Sequence, residues 1–403
     1  MAIVHGTISQ SKRMSRVQIN RKFFDWALER SRKSAEELVE KDKALSKLEQ
    51  WRGGELYPTL RQLENFAKKT HVPLGYFFLS DPPDEEMPIP DFRTTKDTPS
   101  TRPSGDLLDT IYTMQRRQDW LSEEIKNEWE ADALDFVGSV SLQDNPREVG
   151  KKMRSVVDDK WTRKREVGYL RECIEQIGVM AVINGVVGNY NNRKLRVEEF
   201  RGFALVDKYA PLIFVNGADS KAAQLFTLAH ELAHIFLEGG EGISILEGGE
   251  GISRDFLSED NRIEEFCNQA AAEFLVPAQE LKNKWPNEVE LSGLIVYMAK
   301  FFKVSPIVIG RRAMDLGLIT RDEFFEFHDK YTKQEQEQTK SSASGGDFYK
   351  NQNFRIGKFF ATAVIHAAME GRLGFRDAYR LTGLRGATLQ KYALQELDID
   401  MIP

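Results

Sequence analysis

FTLAHELAHIFL (residues 226–237) sets two histidines four apart in a run with helical apolar spacing. On a helix, His230 and His234 project from one face at neighbouring heights. Two neutral imidazoles so placed can reach a single zinc ion at about 2.0–2.1 Å each. Leu225, Leu228, Leu232 and Ile235 supply the apolar packing behind them. Glu231 follows the first histidine and is rotated by about one hundred degrees around the helix. That offset keeps it off the ion but near a water that the ion acidifies, where a carboxylate can act as general base.

A catalytic zinc site needs a third protein ligand and an open position. RIEEFCNQAAAEFLVP (262–277) reads as a second helix ending at Pro277. Its stripe Cys267, Asn268 and Ala271 is built of small side chains, so this helix can approach the first one closely. Glu264 lies one turn before that stripe, and Glu265 points about one hundred degrees away. Glu264 is therefore the expected ligand, with Glu265 as the fallback. Asn268 can hydrogen-bond a ligand histidine from behind the metal.

Before the histidine helix come three strand-like runs, at 179–183, 202–206 and 211–215. A stretch such as 202–206 or 211–215 could pair with an extended substrate by edge addition. The helix itself is expected from about Ser220 to Leu237. It is followed by a tandem repeat: LEGGEGISI (237–245) runs directly into LEGGEGIS (246–253). Nine residues are too few for a solenoid unit. A glycine-rich surface loop or a lid over the nearby site are the two readings.

The chain has 403 residues, enough for two to four domains. Its 41 % hydrophobic and 29 % charged residues are ordinary for a globular protein. No long apolar run suggests a membrane span, and MAIVHGTISQSKRMSR has no signal-peptide core. Two cysteines, Cys173 and Cys267, give neither a disulfide framework nor a thiolate zinc site, and a cytoplasmic location is expected. Residues 1–80 hold 15 Lys and Arg against 9 Asp and Glu, leaving a net charge of −12 on the remainder. Such a head either meets an anionic partner or is drawn to the acidic body.

Residues 21–80 read as five short helices, with Pro58-Thr59 and Pro73 as helix starts. That pattern suits a helix-turn-helix bundle. Its candidate recognition helix, about Asp42 to Trp51, carries Lys43 and Lys47 but also Asp42 and Glu49. Arg13 and Arg16 lie in a basic stretch before it and could meet phosphates. Residues 81–105 are rich in proline and charge and read as a linker. A helix is expected over 106–137, further helices over 147–178, 261–275 and 289–302, and a helical pair over 301–319. KQEQEQTKSSASGGD (333–347) reads as a second linker and 354–397 as a last helical module. His328 and His366 stand at no diagnostic spacing.

The two motifs together, GFALVDKYAPLIFVNGADSKAAQLFTLAHELAHIFL (202–237) and EEFCNQAAAEFLVP (264–277), resemble the ImmA/IrrE family of metallopeptidases. The family pattern of E-x-x-A-N-x-x-A before Leu-x-Pro here runs Glu264 to Ala271, with Cys267 in the usual alanine place. The match also selects Glu264. The resemblance covers roughly residues 150–320 and departs from the family at the duplicated loop. WRGGELYPTLRQLENFAKKTHVPLGYFFL (51–79) and IPDFRT (89–94) resemble the helix-turn-helix head of some members, and 354–384 resembles tails found in others.

The resemblance implies a mostly helical α+β chain. A zincin-like metallopeptidase core with a small sheet (106–332, centred on 150–320) would lie between a helix-turn-helix-like domain (1–80) with its linker (81–105) and a C-terminal helical module (348–403). It implies one Zn2+ per chain, with a divalent ion such as Mn2+ as an alternative, and peptide-bond hydrolysis. The implied substrate is a regulatory protein such as a repressor, in a stress, mobile-element or toxin–antitoxin setting. The competing expectation is a DNA-binding regulator or antitoxin-like protein whose metal domain is structural or sensory, with DNA or a toxin protein as partner.

Overall fold

The computed structural model describes residues 15–85, 103–157, 161–162, 164–237, 243–246, 259–286, 290–338 and 348–401. These form two compact units, one of residues 15–85 and 103–108 and one of everything from Asp109 onward. Among the described residues no single helix is long and apolar enough to cross a membrane.

The first unit is helical throughout: α1 (Lys22–Ser31), α2 (Ala35–Lys41), α3 (Leu48–Gly53) and α4 (Leu60–Thr70), with short 3-10 turns at Lys43–Leu45 and Leu74–Phe78. α4 starts where Pro58-Thr59 leads one to expect, and Thr59 and Gln62 close a capping box there. Phe23, Phe24, Trp51, Phe66 and Phe77 fill the core with tilted and edge-on ring contacts. The helix expected from Asp42 to Trp51 does not form as one piece. The Asp42 carboxylate accepts the Ala44 N–H at 3.0 Å and starts a 3-10 turn instead. Lys47 then leaves helical geometry, and Leu45 and Leu48 both enter the core. The helix that remains, α3, has six residues.

The second unit begins on α5 (Gly105–Asn127), then α6 (Pro146–Val157) and α7 (Val167–Gln176). α5 ends ten residues short of the span expected from its apolar spacing, and Glu130 takes a left-handed backbone (φ 48°). The chain then runs extended. Gly138 and Val140 donate their N–H groups to the carbonyls of Ile235 and Phe236, both at 3.0 Å. They satisfy the open end of the histidine helix.

Among the described residues six strands follow in two sheets: β1 (Met180–Asn184), β2 (Val186–Val187), β3 (Tyr190–Lys194), β4 (Gly202–Leu205), β5 (Leu212–Asn216) and, after helix α8 (Lys221–Phe236), β6 (Ile243–Leu246). The main sheet has the order β1-β5-β4-β6, parallel only between β1 and β5; β2 and β3 form a separate hairpin. Every residue of β1, β4 and β5 is buried, so both faces of that part of the sheet are covered. One face stacks Phe203 on Phe214 with centroids 5.0 Å apart. The other receives α8, which is buried from Thr227 to Phe236 on all sides.

α9 (Glu259–Leu275) lies against α8 and α6 through Cys267, Ala270 and Ala271. Gly150 on α6 makes the approach close: a Cβ there would stand 2.6 Å from the Ala270 carbonyl oxygen. Three arginines hold the far end of α9. Arg154, Arg165 and Arg312 donate to the successive carbonyls of Phe274, Leu275 and Val276. Arg312 is also paired with buried Glu273. Cations at helix carbonyls complement the helix dipole.

The remaining helices are α10 (Ala278–Lys284), α11 (Leu291–Phe302), α12 (Pro306–Asp315), α13 (Arg321–Gln338), α14 (Phe348–Ile356), α15 (Lys358–Met369), α16 (Phe375–Thr382) and α17 (Ala387–Leu397). α13 runs on to Gln338, six residues into the stretch read as a linker, because Lys, Glu and Gln are good helix formers. The C-terminal helices cluster with the second unit. α14 packs on β1, and Arg355 donates to Asn189 and Asn191 of the hairpin. Beneath them Glu175 on α7 is buried and paired with Arg171 at 2.8 Å. Gly357 (φ 86°) has no room for a Cβ, which would lie 2.6 Å from Glu175 Oε1.

Burial raises the Glu175 carboxyl to about 7, outweighing the pull of Arg171. A raised carboxyl holds its proton in the folded chain after the unfolded chain has released it. Its contribution to stability is therefore complete below the ordinary value of 4.5 and is lost as pH rises through about 7. Urea midpoints should fall across that window, and the component should vanish in Glu175→Gln; an unchanged pH profile in the variant would count against it.

Candidate metal centre

α8 brings His230 and His234 to one face, one turn apart, and α9 crosses to set Glu264 against both. His230 Nε2 lies 3.1 Å from one Glu264 carboxylate oxygen and His234 Nε2 lies 3.2 Å from the other. The two Nε2 atoms are 3.0 Å apart. Both rings are buried, at 0 % and 5 % exposure, while the Glu264 side chain is 37 % exposed. The centre is thus closed by protein behind the histidines and more open at the carboxylate.

The donor set fits a divalent cation. His230 Nδ1 is 3.0 Å from Asn268 Oδ1. When that contact is the amide carbonyl accepting from the ring N–H, the lone pair of His230 is on Nε2, the atom that faces the centre. Three groups with lone pairs then form a triangle. A proton on either nitrogen satisfies its own contacts and leaves the opposite edge with two acceptors facing each other. A cation among the three serves all edges at once. Ligands of a tetrahedral zinc at about 2.0–2.1 Å stand roughly 3.3 Å apart, close to the spacings found here.

The charges point the same way. Burial pushes the Glu264 carboxyl up, but His230 and His234 outweigh it and hold the group well below the usual carboxylate range. Burial pushes His234 down, against the pull of Glu264. Glu231 is fully buried, and burial followed by repulsion from Glu264 raises its carboxyl well above the ordinary value. Neither of its oxygens has a hydrogen-bond partner among the described residues. A buried carboxylate with no partner calls for water or a cation beside it.

Glu265 is exposed and accepts from Gln269 at 3.3 Å, away from the histidines. Cys267 is buried, and burial together with Glu264 and Glu231 pushes its thiol up, away from the thiolate form that binds metal. Lys43 and Lys47 are exposed in the first unit. Arg16 donates to the Tyr57 carbonyl and is engaged within its own unit, and Arg13 lies outside the described residues.

Gly202 is a site residue that helical and strand periodicity do not single out. On β4 it faces α8, where a Cβ would stand 2.4 Å from Thr227 Cγ2, 2.8 Å from the Phe214 carbonyl oxygen and 3.3 Å from Glu231 Oε1. The missing side chain lets Glu231 lie directly against the strand. A glycine inside an otherwise β-rich run is the signal that could have marked it.

This fold and centre define a metallopeptidase-type domain. Residues 188–314 match the peptidase-family model described as the IrrE N-terminal-like domain. That stretch contains both motifs and is similar to the ImmA/IrrE family. Residues 356–396 match a domain of unknown function. No curated protein matches the chain.

Two substitutions test the geometry. Asn268→Ala should weaken zinc binding by about 10–100-fold in chelator competition, with Asn268→Asp largely retaining it; unchanged affinity in Asn268→Ala would remove the role given to the amide. Gly202→Ala should cost about 1–3 kcal/mol in urea unfolding, because backbone as well as Thr227 must give way; a neutral result would show that the strand and helix have slack.

Proposed function

We propose that the chain is a zinc-dependent endopeptidase whose substrate is a regulatory protein such as a repressor. The observation that carries the reading is the convergence of His230, His234 and Glu264 with buried Glu231 beside them. The first three would hold the ion, and Glu231 would move protons. Bound there, zinc supplies Lewis-acid polarisation of a carbonyl and lowers the pKa of water toward about 7.

Glu231 takes a proton from the attacking water as oxygen bonds to the scissile carbon. When the C–N bond breaks, Glu231 returns that proton to the departing amine nitrogen. Its dry surroundings suit both steps. Burial makes the carboxylate a stronger base than an exposed glutamate, and the positive charge of the ion offsets the cost of keeping it ionised. A regulatory substrate, and a stress or toxin–antitoxin setting, follow from the family resemblance. The first unit gives the DNA-binding alternative less support. Its six-residue α3 sends Leu48 and Trp51 inward, and Arg52 on it is neutralised by Asp25 and Glu49. A protein partner for that unit is the simpler reading.

His230→Ala should purify without stoichiometric zinc. Glu231→Gln should keep its zinc and lose peptide hydrolysis by about 100-fold or more against repressor proteins encoded beside the gene. Equal cleavage by Glu231→Gln and the parent chain would contradict the mechanism.

A further inference from the structure

The tandem repeat at 237–253 lies between the helix of the two histidines and the helix of Glu264. Four of its residues, Ile243–Leu246, form β6. β6 pairs antiparallel with β4, with Gly202 opposite Leu246 and Leu205 opposite Ile243. β4 therefore has β5 on one side and β6 on the other. β4 is also the strand that abuts the base, through Gly202 and Glu231 Oε1. Without β6 that edge would present unpaired N–H and C=O groups beside Glu231, ready to take up an extended peptide.

β6 is a weak kind of strand for a permanent sheet member. It is four residues long, and the same run, Gly-Gly-Glu-Gly, flanks it at 239–242 and 248–251. Glycine loses more conformational freedom on ordering than any other residue, so such flanks favour release. The second copy repeats Gly-Ile-Ser at 251–253.

We propose that β6 is an intramolecular occupant of the edge at which a substrate strand pairs, so that β6 blocks the peptidase until a peptide displaces it. This rests on the peptidase reading, and it names the substrate form: an extended segment that hydrogen-bonds to Gly202–Leu205 in the antiparallel sense of β6. The tether gives β6 a high effective concentration at that edge, which a free peptide must overcome.

The test separates binding from hydrolysis. In the full chain carrying Glu231→Gln, a fluorescent peptide with the sequence of residues 241–248, EGISILEG, is titrated by anisotropy. It is compared with the same chain bearing Ser244→Pro, Ile245→Pro, Ile252→Pro and Ser253→Pro, which removes strand donors from both copies. Removing the tethered competitor should tighten peptide binding by about tenfold or more. Equal binding by the two chains, or none by either, overturns the proposal. Zinc content equal to the parent's checks that the proline chain is folded. If it is not, a chain with Ile243, Ile245, Leu246 and Ile252 replaced by Gly decides by the same readout. Failure of the peptidase reading looks different: the gain in binding would be present, and no chain with Glu231 intact would cleave.

Discussion

Three lone-pair groups held about 3 Å apart in a largely dry pocket cannot all be satisfied by protons. That constraint organises the second unit. His230 and His234 are fixed by one turn of α8, and Glu264 arrives from a different helix. Positive charge at the centre would serve all three contacts at once. A protein interior tolerates such an arrangement when the binding free energy of an ion offsets the cost of preorganising its ligands.

The rest of the unit reads as the means of holding two helices and a strand in tight register around that point. Gly202 lets β4 lie against α8 at the level of Glu231. Gly150 lets α6 close on α9. The segment after α5 completes the hydrogen bonding at the end of α8, and Arg154, Arg165 and Arg312 do the same for α9. Each device acts on a helix end or a close contact, where an error of a few tenths of an ångström would splay His230, His234 and Glu264. The same closeness leaves Glu231 dry, and dryness makes it a strong base.

Much of this was legible in the sequence because the chemistry obeys helical periodicity. A spacing of four puts His230 and His234 on one face, and the small residues Cys267, Asn268 and Ala271 mark the side of α9 that can come close, which picks Glu264 over Glu265. The strands at 180–184, 202–205 and 212–216 fall within a residue of the apolar runs that announced them. Other features answer to tertiary contacts that no local pattern carries. α5 stops at Asn127, Glu130 turns left-handed and the Leu134 N–H goes to the Lys208 carbonyl instead of a helix partner. The stretch from Asp42 to Trp51 breaks where Asp42 caps a 3-10 turn and Lys47 leaves helical geometry. The β2–β3 hairpin is polar along β3 and so lacks the apolar alternation that marks a strand. β6 was hidden inside a glycine-rich repeat that reads as loop by composition alone.

The most direct measurement is X-ray absorption at the zinc edge on the purified, zinc-loaded chain. One ion per chain, with nitrogen and oxygen neighbours at about 2.0–2.1 Å and two imidazole scattering patterns, is the expected result. A sulfur neighbour at about 2.3 Å, which would bring Cys267 into the shell, or the absence of imidazole ligands, would contradict the account.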